Sequence, residues 1–215
     1  MTEINHHLTD ALLMAYSAGS LPEAFSLAVA AHVSMCDECR ARLASFDSVG
    51  GALIEQTDMV EMGAGSFEAT MALIDAAPQM PEPSEPHRKG VLPNPIRDYV
   101  GGDLEAVKWR PIGMGVKQAI LPTGADAQAR LLYIPAGMAV PDHGHKGTEL
   151  TLVLQGAFVD EVDRFGKGDI EIANEHLDHT PVADIGEDCI CLAVTDAPLK
   201  FNSLIPRLAQ PFLRI

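Results

Sequence analysis

Two sets of metal-ligating side chains, about a hundred residues apart, constrain this chain more than anything else in it. The first is His32-x3-Cys36-x2-Cys39, with His6 and His7 upstream. The second is His143-x-His145-x3-Glu149, with His179 downstream. Thiolates with imidazole favour different metals from imidazoles with a carboxylate, so two modules with different tasks are expected. Between the sets, Pro78, Pro81, Pro83, Pro86, Pro93 and Pro95 crowd an 18-residue stretch. That composition resists helix and sheet, which predicts an extended linker over 78–95 with His87 solvated in it.

Ahead of the linker the apolar periodicity is helical. Thr9 is placed to cap a first helix carrying Leu12, Leu13 and Tyr16 and ended by Gly19. Ser20-Leu21-Pro22-Glu23 has the form of a capping box with Pro at the first helical position, opening a second helix through Phe25, Val29 and His32. A third is expected from near Cys36 to a break at Gly50-Gly51, and a fourth over 66–76 with Phe67, Met71 and Ile74 on one face. Large apolar residues are few, and domains this small commonly rely on a metal. Cys36 and Cys39 share a face at a helix start, and His32 approaches from the end of the preceding helix. One more ligand closes a tetrahedral Cys2His2 zinc site, which is structural and not catalytic. His6 or His7 must supply it; His7, immediately before the first helix, is the better placed, leaving His6 facing solvent.

From about residue 97 short apolar or alternating runs take over, at 116–121, 129–134, 150–154, 157–159 and 189–194. Many short strands with turn signals predict an all-β sandwich or barrel. His143 and His145 alternate on one strand and face one interior; Glu149 follows a turn, and His179 lies on a later strand. Three imidazoles and a carboxylate accept zinc or another divalent transition metal. Cys189 and Cys191 share a strand face roughly 7 Å apart, too far for a relaxed disulfide, and are expected to be small buried residues.

The formal charge of −15 argues against a nucleic-acid surface, because phosphate contacts need clustered Lys and Arg. Residues 1–90 hold 13 acids against 4 bases, a charge of −9, which suits a basic protein partner. The sequence has neither a secretory leader pattern nor a run of about 20 apolar residues, so a cytoplasmic location without a membrane span is expected.

The His-x3-Cys-x2-Cys pattern on an acidic helical segment resembles the zinc-binding anti-sigma factors. Gly137-x5-His143-x-His145-x3-Glu149-x6-Gly156 resembles the first cupin motif at every fixed position. In Gly168-x5-Asn174-x-His176-x2-His179 the second motif keeps its Gly and its His, but Asn174 and His176 stand where Pro and Gly are usual, and His176 is read as a turn residue. The order of parts resembles the ChrR-type anti-sigma factors across nearly the whole chain. That resemblance implies a multidomain α plus all-β protein: a zinc-stapled four-helix domain over 1–77, the linker over 78–95, a cupin jelly-roll barrel over 96–200 and a tail over 201–215. It implies zinc on His7, His32, Cys36 and Cys39, and zinc or another divalent metal on His143, His145, Glu149 and His179. It also implies a one-to-one inhibitory complex with an extracytoplasmic-function sigma factor, gripped in part by Phe67, Met71 and Ile74, with no direct DNA binding. Release is expected when the barrel meets singlet oxygen or organic hydroperoxides, with Met114, Met138, Cys189 and Cys191 as oxidisable groups. Self-association of the barrel stays open. The competing reading is an enzyme, a metal-dependent cupin dioxygenase with a zinc-stabilised helical appendage.

Overall fold

The computed structural model describes residues 3–77, 90–175, 178–201 and Gln210. Most of the expected linker, including His87, lies outside these residues, as do His176 and nearly all of the tail. The helices are α1 (Asp10–Ser17), α2 (Glu23–Met35), α3 (Asp37–Glu55), α4 (Ser66–Ala76) and α5 (Asn94–Val100). The strands are β1 (Arg110–Gly113), β2 (Val116–Ile120), β3 (Gln128–Ile134), β4 (His143–Gly144), β5 (Glu149–Gln155), β6 (Ala157–Val159), β7 (Arg164–Gly166), β8 (Ile170–Ala173), β9 (Asp178–His179), β10 (Val182–Ala183), β11 (Cys189–Thr195) and β12 (Lys200–Phe201).

Among the described residues every strand pairing is antiparallel. One sheet has the order β1-β2-β3-β11-β5-β8; two three-stranded sheets, β10-β6-β7 and β12-β4-β9, complete the barrel. The large sheet is buried on both faces, which explains why 150–154 and 189–194 read as unbroken apolar runs. Leu150, Leu152, Leu154, Ile190, Leu192 and Val194 face the helices and join one core with Leu13, Phe25, Leu27 and Val29. Val153, Cys189 and Cys191 face the barrel interior with Phe158 and Phe165. The helical region therefore packs directly on the barrel through α2.

Local signals explain where the elements begin and end. Thr9 caps α1 by accepting the Leu12 N–H at 3.3 Å, and Gly19 takes a left-handed φ of +65° after the helix. The expected capping box does not form. Pro22 is itself the cap of α2, and the Glu23 carboxylate accepts instead from the Tyr99 hydroxyl and the Gly124 N–H, both at 2.6 Å. Those two partners tie the start of α2 to α5 and to the β2–β3 turn. The expected break at Gly50-Gly51 is also absent, because α3 runs through both to Glu55. Two glycines cost about 2 kcal/mol relative to Ala but do not block helical geometry, as Pro does. The linker expected to reach residue 95 ends earlier: Pro93 caps α5 and Pro95 sits in its first turn, where the missing N–H has no helical partner to lose.

Candidate metal centres

The first centre forms where three elements meet. His7 lies ahead of α1, His32 in the last turn of α2, and Cys36 is the cap of α3, its sulfur accepting the Cys39 N–H at 3.4 Å. One ligand atom from each of His7, His32, Cys36 and Cys39 falls within 4.8 Å of every other. His7 presents Nδ1 to the sulfurs of Cys36 and Cys39 at 3.3 and 3.7 Å, while its Nε2 is held 3.3 Å from a Glu38 carboxylate oxygen. A carboxylate behind a ligating imidazole fixes its orientation and raises its basicity. His32 is fully buried, and neither ring nitrogen has a partner with hydrogen-bond geometry. Burial lowers its pKa to about 4, against an opposing effect of the nearby Gly168 backbone. Burial also pushes the Cys39 thiol up to about 11. A buried neutral imidazole whose ring nitrogens make no well-formed hydrogen bond, set beside two buried thiols, is costly unless a cation satisfies it. The donors fit zinc in a closed Cys2His2 set.

His6 does not face solvent as expected. Its ring packs 4.3 Å from that of Phe165, with Nε2 3.2 Å from Asp163 and Nδ1 3.4 Å from Asp169.

In the second centre β4, β5 and β9 bring His143, His145, Glu149 and His179 to one end of the barrel, all of them buried. The three imidazoles place ligand atoms within 4.8 Å of one another. His143 Nδ1 donates to the Pro141 carbonyl at 2.8 Å, leaving Nε2 as its acceptor. The Nε2 atoms of His145 and His179 stand 3.3 Å apart, a hydrogen bond when one of them carries the proton and close enough for one cation to take both lone pairs. Glu149 stands apart from this triad. Its carboxylate lies 3.6 Å from the other nitrogen of His145 and accepts from the Thr151 hydroxyl at 3.0 Å.

Two residues of this centre were missed in the sequence. His179 Nδ1 lies 2.9 Å from Asp160 and 3.1 Å from Glu171. Burial raises Glu171 to about 7; it also opposes protonation of His179, but the two carboxylates outweigh it and raise that imidazole to about 9. Glu171 left one trace, a charge between Ile170 and Ile172 in a strand. A cavity of about 330 Å³ opens beside the triad, lined by Met114, Leu132, Phe158, Cys191 and other largely apolar residues. Cys189 and Cys191 are both buried with their sulfurs 3.4 Å apart, closer than their spacing along a strand implies.

A family model described as the ChrR Cupin-like domain matches residues 98–198. Anti-sigma-E factor ChrR of Cereibacter sphaeroides is 62% identical over 212 residues, which cover 99% of each chain. A crystal structure of Rhodobacter sphaeroides SigE in complex with the anti-sigma ChrR matches at 60% identity and a TM-score of 0.79, covering 90% of this chain and 99% of that one. At 62% identity over 99% of both chains, this chain belongs to the ChrR family of anti-sigma factors.

Proposed function

We propose that this chain is a cytoplasmic anti-sigma factor that binds one extracytoplasmic-function sigma factor and withholds it from RNA polymerase. The observation that carries this reading is the 62% identity to an anti-sigma-E factor over 99% of both chains. The surface supports it. No residue of α4 is buried; Phe67 is 72% and Ile74 60% exposed, and Met71 is the least exposed of the expected contacts at 41%. Val49, Leu53 and Ile54 on α3 are exposed as well. Exposed apolar surface of this extent in an acidic protein is what a partner with basic and apolar patches would cover. Among the described residues no helix is long and apolar enough to cross a membrane.

In this reading His7, His32, Cys36 and Cys39 hold zinc, which cross-links the three elements and lets both sulfurs exist as thiolates. His143, His145 and His179 hold a second divalent metal, and Glu149, 3.6 Å from His145 Nδ1, completes the set when its carboxylate turns toward the ion. The barrel receives the oxidative signal at the cavity beside it, which Met114 and the buried Cys191 line. Co-purification of the sigma factor with the full-length chain tests the core of this proposal. C36S/C39S should lose the partner, whereas H143A should keep it and lose the response to peroxide. Loss of binding in H143A would refute the division of labour.

A further inference from the structure

The barrel reaches into the first centre. Asp169 is only 3% exposed, and its Oδ1 accepts the backbone N–H groups of Asn5 and His6 at 2.7 and 3.0 Å. Its Oδ2 accepts the Gly166 N–H at 2.8 Å, and the Ile170 N–H donates to the His6 carbonyl at 3.3 Å. Gly168 lacks a Cβ where one would fall 2.6 Å from Ile4 Cδ1. Residues 4–6 are thus laid along the β7–β8 turn, and the next residue is His7.

The same barrel segments reach the second centre. Glu171 follows Asp169 by two residues on β8 and lies 3.1 Å from His179 Nδ1. Asp160, which accepts from that nitrogen at 2.9 Å, also accepts the Asp163 N–H at 3.1 Å, and Asp163 contacts His6 at 3.2 Å. Two short routes of bonded and packed groups therefore join His179 to the backbone that carries His7.

We propose that Asp169 and His6 are positioning residues for the thiolate centre, and that through them the metal state of the barrel sets how tightly the first centre holds zinc. The proposal rests on zinc occupying the first centre, as argued above. A ligand borne on a short leading segment stays in place only while that segment is held, and losing such support costs metal affinity on the order of 10–100-fold. Packed and hydrogen-bonded groups of this kind can carry coupling between two sites, and that coupling is measurable.

The test uses the full-length protein with cobalt replacing zinc, because the thiolate-to-cobalt absorption reports the first centre alone. Loss of that band to a chelator is timed in the parent protein, in H6A, in H145A (which empties the barrel centre), and in H6A/H145A. H6A and H145A should each speed the loss at least tenfold, and the double variant should lose cobalt no faster than H6A, because both remove one support. D169N, which keeps an acceptor oxygen for the two N–H groups but forfeits the carboxylate charge, should fall between H6A and the parent. Near-UV circular dichroism confirms that H6A is folded. Rates in H6A and H145A within twofold of the parent, or effects that multiply in the double variant, would overturn the proposal. No sigma factor is in the assay, so a negative result leaves the anti-sigma reading standing, and a failure to bind sigma leaves this result intact.

Discussion

Gly156 shows how little freedom single positions in the barrel have. It turns the chain from β5 to β6 at φ +69°, and a Cβ there would fall 2.7 Å from the Asp188 carbonyl oxygen. Gly156→Ala should therefore lose about 2 kcal/mol, from left-handed strain and a displaced strand end together. Urea denaturation with an unchanged slope measures it, and parental stability would contradict the close approach. At the first centre the cost is larger, because metal binding and folding are one free energy. C36S/C39S should bind no zinc and lose helical circular dichroism, with the barrel signal retained. The residues that the structure gathers, His7, His32, Cys36 and Cys39 in one group and His143, His145 and His179 in the other, were legible because close spacing in sequence marks most of them. Asp160, Asp169 and Glu171 were not, since each acts on a residue far away in sequence, and periodicity carries no record of such partners.

Among elements, the segment from residue 90 through α5 departs furthest from its sequence reading. Proline crowding implied an extended spacer, but a single carboxylate organises the part after residue 90. Asp103 accepts the N–H groups of Val91, Leu92 and Leu104 and pairs with Arg97. Burial alone would raise its pKa; those donors outweigh it and hold it below 3.8. A depressed carboxylate stabilises the fold above pH 3.8 and loses that contribution as pH falls through the lower folded value. Asp103→Ala should cost about 3 kcal/mol at pH 7, with the difference from the parent shrinking when the thermal melts are repeated at acid pH. An equal loss at both pH values would assign the effect to packing instead. Propensity located α4, β2, β3, β5, β6 and β11 well. It failed at Ser20–Glu23 and Gly50-Gly51, where a tertiary partner for Glu23 and the tolerance of an α-helix for glycine decided the outcome.

At the scale of the molecule, the two halves share one sheet. Phe25, Leu27, Ala28 and Val29 of α2 are buried in the same core as the outer face of β5 and β11. Residues 1–85 made alone would expose that face, so the fragment should melt well below the full chain and bind a hydrophobic dye. An unaltered melting temperature would show that the helices fold independently of the barrel. The surface assigned to the partner lies elsewhere. Phe67→Ser, at a side chain 72% exposed, should leave the melting temperature within a degree or two while weakening sigma binding roughly tenfold in a titration. A variant that bound normally would remove α4 from the interface. Because β5 and β11 serve two cores at once, their inherited sequence answers to both neighbours. A sensor borrowed from another lineage could not simply be spliced behind these helices; it would have to bring a strand face already shaped for α2, which restricts how such regulators trade parts over evolutionary time.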